Sequence, residues 1–105
     1  MTMKIIEVLS EHIEDELRDA QTYAKLALEY KETEPELSQL FFKLSGEEMT
    51  HMDALHKRVV MCIERYRQTH GEPPEGMRAL YDFVHKREIT QAGEVKRLQE
   101  MYREG

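Results

Sequence analysis

Glu48 and His51, in Gly46-Glu47-Glu48-Met49-Thr50-His51-Met52, are the residues of this chain best placed to do chemistry. At i and i+3 they project from one face of a helix, so a carboxylate and an imidazole can reach the same ion. A neutral imidazole nitrogen gives directional ligation suited to iron, manganese or zinc, and carboxylate oxygens can bridge two cations while neutralising their charge. Both residues also sit on a line that reads as apolar, with Leu37, Phe41 and Leu44 before them and Leu55, Val59 and Cys62 after them. An ionisable pair in a hydrophobic seam costs on the order of several kcal/mol unless something compensates it, and a metal ion is one natural compensator.

A third ligand candidate comes from the preceding segment. From Ile6 an apolar stripe runs through Leu9 and Ile13, is interrupted by Glu16, and continues through Ala20, Tyr23, Ala27 and Tyr30 at helical spacing. Between the two stripes lies Lys31-Glu32-Thr33-Glu34-Pro35-Glu36, in which Thr33 and Glu36 have capping-box spacing and Pro35 falls in a first helical turn. A short antiparallel hairpin follows. Folding it at about residue 32 puts residues of constant summed number at one height: Leu9 with Leu55, Ile13 with His51, Glu16 with Glu48, Ala20 with Leu44, Tyr23 with Phe41 and Ala27 with Leu37. Nothing in the composition requires the polar residues to meet, yet Glu16 lands opposite Glu48 and one layer from His51. One Glu on one helix facing Glu-x-x-His on its neighbour is half of the carboxylate-bridged dinuclear site of four-helix bundles.

Residues 3–66 resemble one helical hairpin of the ferritin-like superfamily, which includes rubrerythrins, bacterioferritins and encapsulated ferritins. Glu16-Leu17-Arg18-Asp19-Ala20-Gln21-Thr22-Tyr23 resembles the first ligand segment, with a tyrosine two turns after the glutamate, and Glu47-Glu48-Met49-Thr50-His51 resembles the second. The resemblance implies metal ligation by Glu16, Glu48 and His51, and for Tyr23 a hydrogen bond to a ligand or a redox role. It implies oxidation of Fe(II) by dioxygen or peroxide, with iron as the metal and manganese or zinc as alternatives. A complete bundle of this kind has a second hairpin with its own Glu and Glu-x-x-His, and this chain offers no second copy. The simplest source is an identical chain, since a two-fold axis through the site duplicates the ligands and gives two ions per dimer. Encapsulated ferritins are similar in this respect. Their shell-docking peptide has no counterpart in Leu98-Gln99-Glu100-Met101-Tyr102-Arg103-Glu104-Gly105, so an encapsulin partner finds no support there.

The fold expected is all-α: a single domain over residues 1–105, with a long antiparallel hairpin (3–69), a loop (70–76) and a C-terminal helix (76–103), completed as a four-helix bundle by dimerisation. The loop Gly71-Glu72-Pro73-Pro74-Glu75-Gly76 is the strongest breaker and is expected to set the third helix at a new angle to the hairpin. At 105 residues one core forms without much to spare, which also favours assembly. A net charge of −6, with basic and acidic residues interspersed, argues against a nucleic-acid surface. One cysteine, Cys62, excludes an intrachain disulfide and a four-cysteine iron site. No stretch approaches the length of a membrane span and none reads as a signal peptide, so a cytoplasmic protein is expected.

The third segment has its own stripe: Met77, Tyr81, Val84, Glu88, Ala92, Val95, Leu98 and Tyr102. His85 and Glu88 could hold a metal by spacing, but no third ligand pairs with them in sequence, so they read as structural, with a kink or exposed turn near Ile89-Thr90. His56 reads as half-exposed, and His12 and Asp19 as candidates to orient ligands or guide cations. Met49, Met52 and Met61 read as packing. Glu47 is the alternative to Glu48 if the helix face is rotated by about 100°, one residue of helix geometry. Two other classes of function compete with an iron oxidase. One is a metal-stabilised structural or binding module without turnover, the other a metal-free helical interaction protein.

Overall fold

The computed structural model describes residues 2–105, with side chains from Lys4 onward. Its elements are α1 (Thr2–Glu29), α2 (Pro35–His70) and α3 (Glu75–Glu104), and no strand occurs among the described residues. At 1.5 Å per residue α2 should span about 54 Å, and the molecule is a rod of 56 × 17 × 17 Å. The three helices therefore lie side by side. The new angle expected for α3 is not adopted: it returns along the hairpin, antiparallel to α2, as the Phe42–Tyr102 ring stack and the Gln99 to Ser45 hydrogen bond require. No break interrupts it at Ile89-Thr90; two β-branched residues lower propensity by only tenths of a kcal/mol, roughly, which packing overrides.

Hairpin closure differs from the capping-box expectation. The N-cap of α2 is Glu34, with no side-chain cap bond, and Pro35 opens the helix. A residue preceding proline is excluded from helical geometry, and Glu34 accordingly sits at φ −138°, ψ 74°. Proline thus moves the cap one residue past Thr33 and dissolves the Thr33/Glu36 pairing. At the other end of α2, Gly71 takes φ +81° and donates its N–H to the Arg67 carbonyl at 2.9 Å, which ends the helix in a conformation disfavoured for side-chain-bearing residues.

The buried faces are offset from the apolar stripes. In α1 the core is Ile6, Ile13, Leu17, Ala20, Ala24 and Ala27; Leu9, Glu16, Tyr23 and Tyr30 are only partly covered. In α2 the core is Ser38, Ser45, Met52, Val59 and Ile63, while Leu37 is exposed and Phe41, Leu44, Glu48, Leu55 and Cys62 flank the seam. The expectation that Glu48 and His51 occupy core positions is corrected by this rotation. Its cause is polar. Ser45 Oγ donates to the Ala20 carbonyl at 2.7 Å, and Ser38 Oγ donates to the Ala27 carbonyl. Two small hydroxyls facing three alanines let the helix backbones approach, which leucine at the same positions would prevent. The α3 stripe holds, with Met77, Glu88, Val95 and Leu98 buried.

Candidate metal centres

Glu16 projects from α1 and Glu48 and His51 from α2, and the structure brings one ligand atom of each within 4.8 Å of the others. His51 Nδ1 lies 3.5 Å from Glu16 Oε2 and 3.9 Å from Glu48 Oε1. The hairpin register read from the sequence is the one formed, with Tyr23 stacked on Phe41 at 6.0 Å. Glu47, the competing carboxylate, points to solvent beside Lys43. Tyr23 is seven residues beyond Glu16, about 10 Å along the helix axis, and makes no hydrogen bond to the cluster among the described residues. His12 and Asp19 are exposed.

The cluster lies on the face turned away from α3. Glu14, two residues before Glu16, pairs with Arg87 of α3 at 3.3 Å; two residues rotate a helix by about 200°, so Glu16 points the other way. The side chain of His51 is 59 % exposed, against 25 % for Glu16 and 19 % for Glu48. In line with these residues at helical spacing are exposed Ile5 on α1 and Leu37 and Leu40 on α2.

Electrostatically the site concentrates negative charge. Glu16 Oε2 is buried and makes no hydrogen bond. The carboxyl of Glu48 is pushed up to about 7, first because its protonated form can share a hydrogen bond with Glu16, then by desolvation and by the charge of Glu16, with His51 opposing. Two carboxylates that hold a proton between them are a pair whose charge an ion could neutralise instead. One unsatisfied buried oxygen, one carboxylate of raised proton affinity and one accessible imidazole form a donor set that fits a transition-metal ion.

A second cluster was not anticipated. His56 on α2 meets His85 and Glu88 on α3, again with ligand atoms within 4.8 Å of one another. The missing third partner of His85 and Glu88 is therefore His56, partly exposed as expected but not isolated. Constant-sum pairing applied to the second antiparallel connection, centred near Gly71–Gly76, would have matched His56 with Glu88, as it matches Ser45 with Gln99 and Phe42 with Tyr102. The carboxyl of Glu88 is pushed up to about 7 by burial and then by the charge of Glu14. Around it stand Glu14 from α1, His56 from α2, and His85, Arg87 and Tyr81 on α3 itself.

A pH dependence follows for the metal-free protein. The folded carboxyl of Glu88 keeps its proton where the unfolded one, at 4.5, has lost it. Its contribution to stability is therefore full at acid pH and declines as pH rises from about 4.5 to 7, by roughly 3 kcal/mol at most. Glu88→Gln, which mimics the protonated form, should flatten this segment of the stability profile. Urea titrations in chelator at a series of pH values between 4.5 and 8 measure it, and parallel wild-type and variant curves would refute the assignment.

The chain was compared with protein-family profiles, curated proteins and solved structures, and it matches none of them. No helix among the described residues is long and apolar enough to cross a membrane.

Proposed function

We propose that this chain forms a dinuclear metal centre at a two-fold interface and uses it to oxidise Fe(II) with dioxygen or peroxide, in the manner of the ferritin-like proteins its hairpin resembles. The observation that carries the reading is the convergence of Glu16, Glu48 and His51 on the open face of the hairpin, with Glu16 Oε2 buried and making no hydrogen bond. Three ligands from one chain supply half of what a carboxylate-bridged pair of ions requires. A second copy, seated against Ile5, Leu37 and Leu40, supplies the other half and covers exposed apolar side chains.

In such a dimer Glu48, Glu16 and His51 of each chain would hold the ions, with Glu48 and its symmetry mate placed to be shared between them. Two Fe(II) ions held there would supply the two electrons that the oxidant takes up. The protein's share is positional: Glu16 and Glu48 offset the ionic charge, His51 fixes one coordination direction, and the seam of α1 and α2 behind them excludes water.

Sedimentation and metal analysis test the assembly. Chelator-treated protein given Fe(II) without oxygen should sediment as a dimer or a larger even assembly holding two irons per pair of chains. A monomer that holds iron with unchanged affinity after His51→Ala would refute the shared site.

A further inference from the structure

We infer that His56, His85 and Glu88 form a second, mononuclear site for a first-row divalent transition metal, pinning α3 to the hairpin within one chain. Four observations support it. The ligand atoms of the three residues lie within 4.8 Å of one another. His85 Nδ1 is buried and has no hydrogen-bond partner, a state rare for buried polar atoms. His56 Nδ1 and Glu88 Oε2 are 4.0 Å apart, too far for a hydrogen bond between them. Glu88 is buried in a line otherwise made of Met77, Val95 and Leu98, and the neighbouring Arg87 reaches Glu14 instead of Glu88.

The rings are held for the purpose. His85 is stacked between His56, at 5.3 Å and 18°, and Tyr81, at 5.4 Å and 11°. This sandwich fixes the plane of the His85 imidazole, as supporting contacts do around metal ligands. Two imidazoles and a carboxylate select zinc and its first-row neighbours over magnesium or calcium, which prefer all-oxygen sites. Bonds of about 2.0–2.2 Å to a central zinc require donor atoms roughly 3.3 Å apart, so the present spacing closes by an ångström or so through side-chain rotation. Three protein ligands leave a fourth position for water, and His56, 32 % exposed, lies on the solvent side of the site. The site is distinct from that of Glu16, Glu48 and His51, using other residues on the opposite face of the hairpin, and stands whether or not that centre forms.

The test uses the full chain with the first cluster disabled by Glu16→Gln and His51→Asn. Titrated calorimetrically with Zn²⁺, this background should bind one ion per chain and should not respond to Mg²⁺. Cobalt(II) should give visible d–d absorption. His85→Phe, which keeps the stacked ring and removes its donors, should weaken Zn²⁺ binding by at least about 100-fold, the upper end of what even supporting residues contribute. Glu88→Gln should weaken it too, and provides the variant if His85→Phe loses its helical circular dichroism. Without any change at the site, Zn²⁺ should shift the imidazole NMR signals of His56 and His85 and leave those of His12 and His70 in place. Absence of stoichiometric Zn²⁺ in the background, equal binding by folded His85→Phe, or shifts confined to other histidines would each overturn the inference.

Discussion

Glu48→Ala is expected to lower the rate of Fe(II)-dependent oxygen consumption by at least about 100-fold, since losing a bridging ligand should exceed the 10–100-fold effects of residues that merely support ligands. The size follows from position. In the proposed dimer Glu48 would be shared between the two ions, and a two-fold axis makes one substitution remove both copies at once. Glu16→Ala and His51→Ala remove terminal ligands only, and should reduce the rate less.

Stability should move differently. In the metal-free chain the Glu48 carboxyl is raised to about 7 by its neighbour Glu16 and by desolvation, so above that pH the pair is a source of repulsion. Alanine there removes the repulsion along with some packing at a partly covered position, and the net change should stay within about 1 kcal/mol. Oxygen-electrode rates and thermal melts in chelator, on the same preparations, separate the effects. Wild-type oxidation by Glu48→Ala would show that these carboxylates are not the centre. Loss of both rate and fold would show instead that Glu48 is structural.

Ser45→Leu is expected to be the most destabilising of the conservative-looking hydrophobic substitutions, by roughly 2–5 kcal/mol, combining overpacking with orphaned polar groups. Ser45 is wholly buried, donates to the Ala20 carbonyl at 2.7 Å and accepts from Gln99 Nε2 at 3.0 Å. It therefore ties all three helices together at one level. Leucine would force α1 and α2 apart and leave Gln99, itself buried, without its acceptor. At some 4–8 °C per kcal/mol for a domain of this size, the melting temperature should fall by roughly 10–40 °C. The paired control is Leu44→Ser, one residue away and only partly covered, for which a markedly smaller loss is expected. If Leu44→Ser proves the more damaging, the rotated packing of α2 is wrong and the apolar stripe read directly from the sequence is right.

That pair of substitutions marks where the sequence stopped being sufficient. Helical periodicity determined the three helices, and proline and glycine the turn around Pro35 and the breaker at Gly71–Gly76, because each depends on residues close to one another in the chain. It also determined that Glu16, Glu48 and His51 share one height, since an antiparallel hairpin with a short turn has only one register that aligns both stripes. Hydropathy failed on which side of α2 faces inward. Ser38 and Ser45 score as polar, and only the facing carbonyls of Ala27 and Ala20 make them core residues.

The tertiary structure likewise decided the fate of the third helix. His85 and Glu88 are three residues apart and legible as a pair, whereas His56 lies far off in the chain and joins them only because α3 folds back along the hairpin. Local sequence encodes the angle of a side chain about its own helix; which partner stands opposite depends on how closely the helices approach. Between α1 and α2 that closeness follows serine hydroxyls donating to alanine carbonyls, and α3 joins at the same level through Gln99 donating to Ser45, interactions to which a hydrophobic pattern is blind.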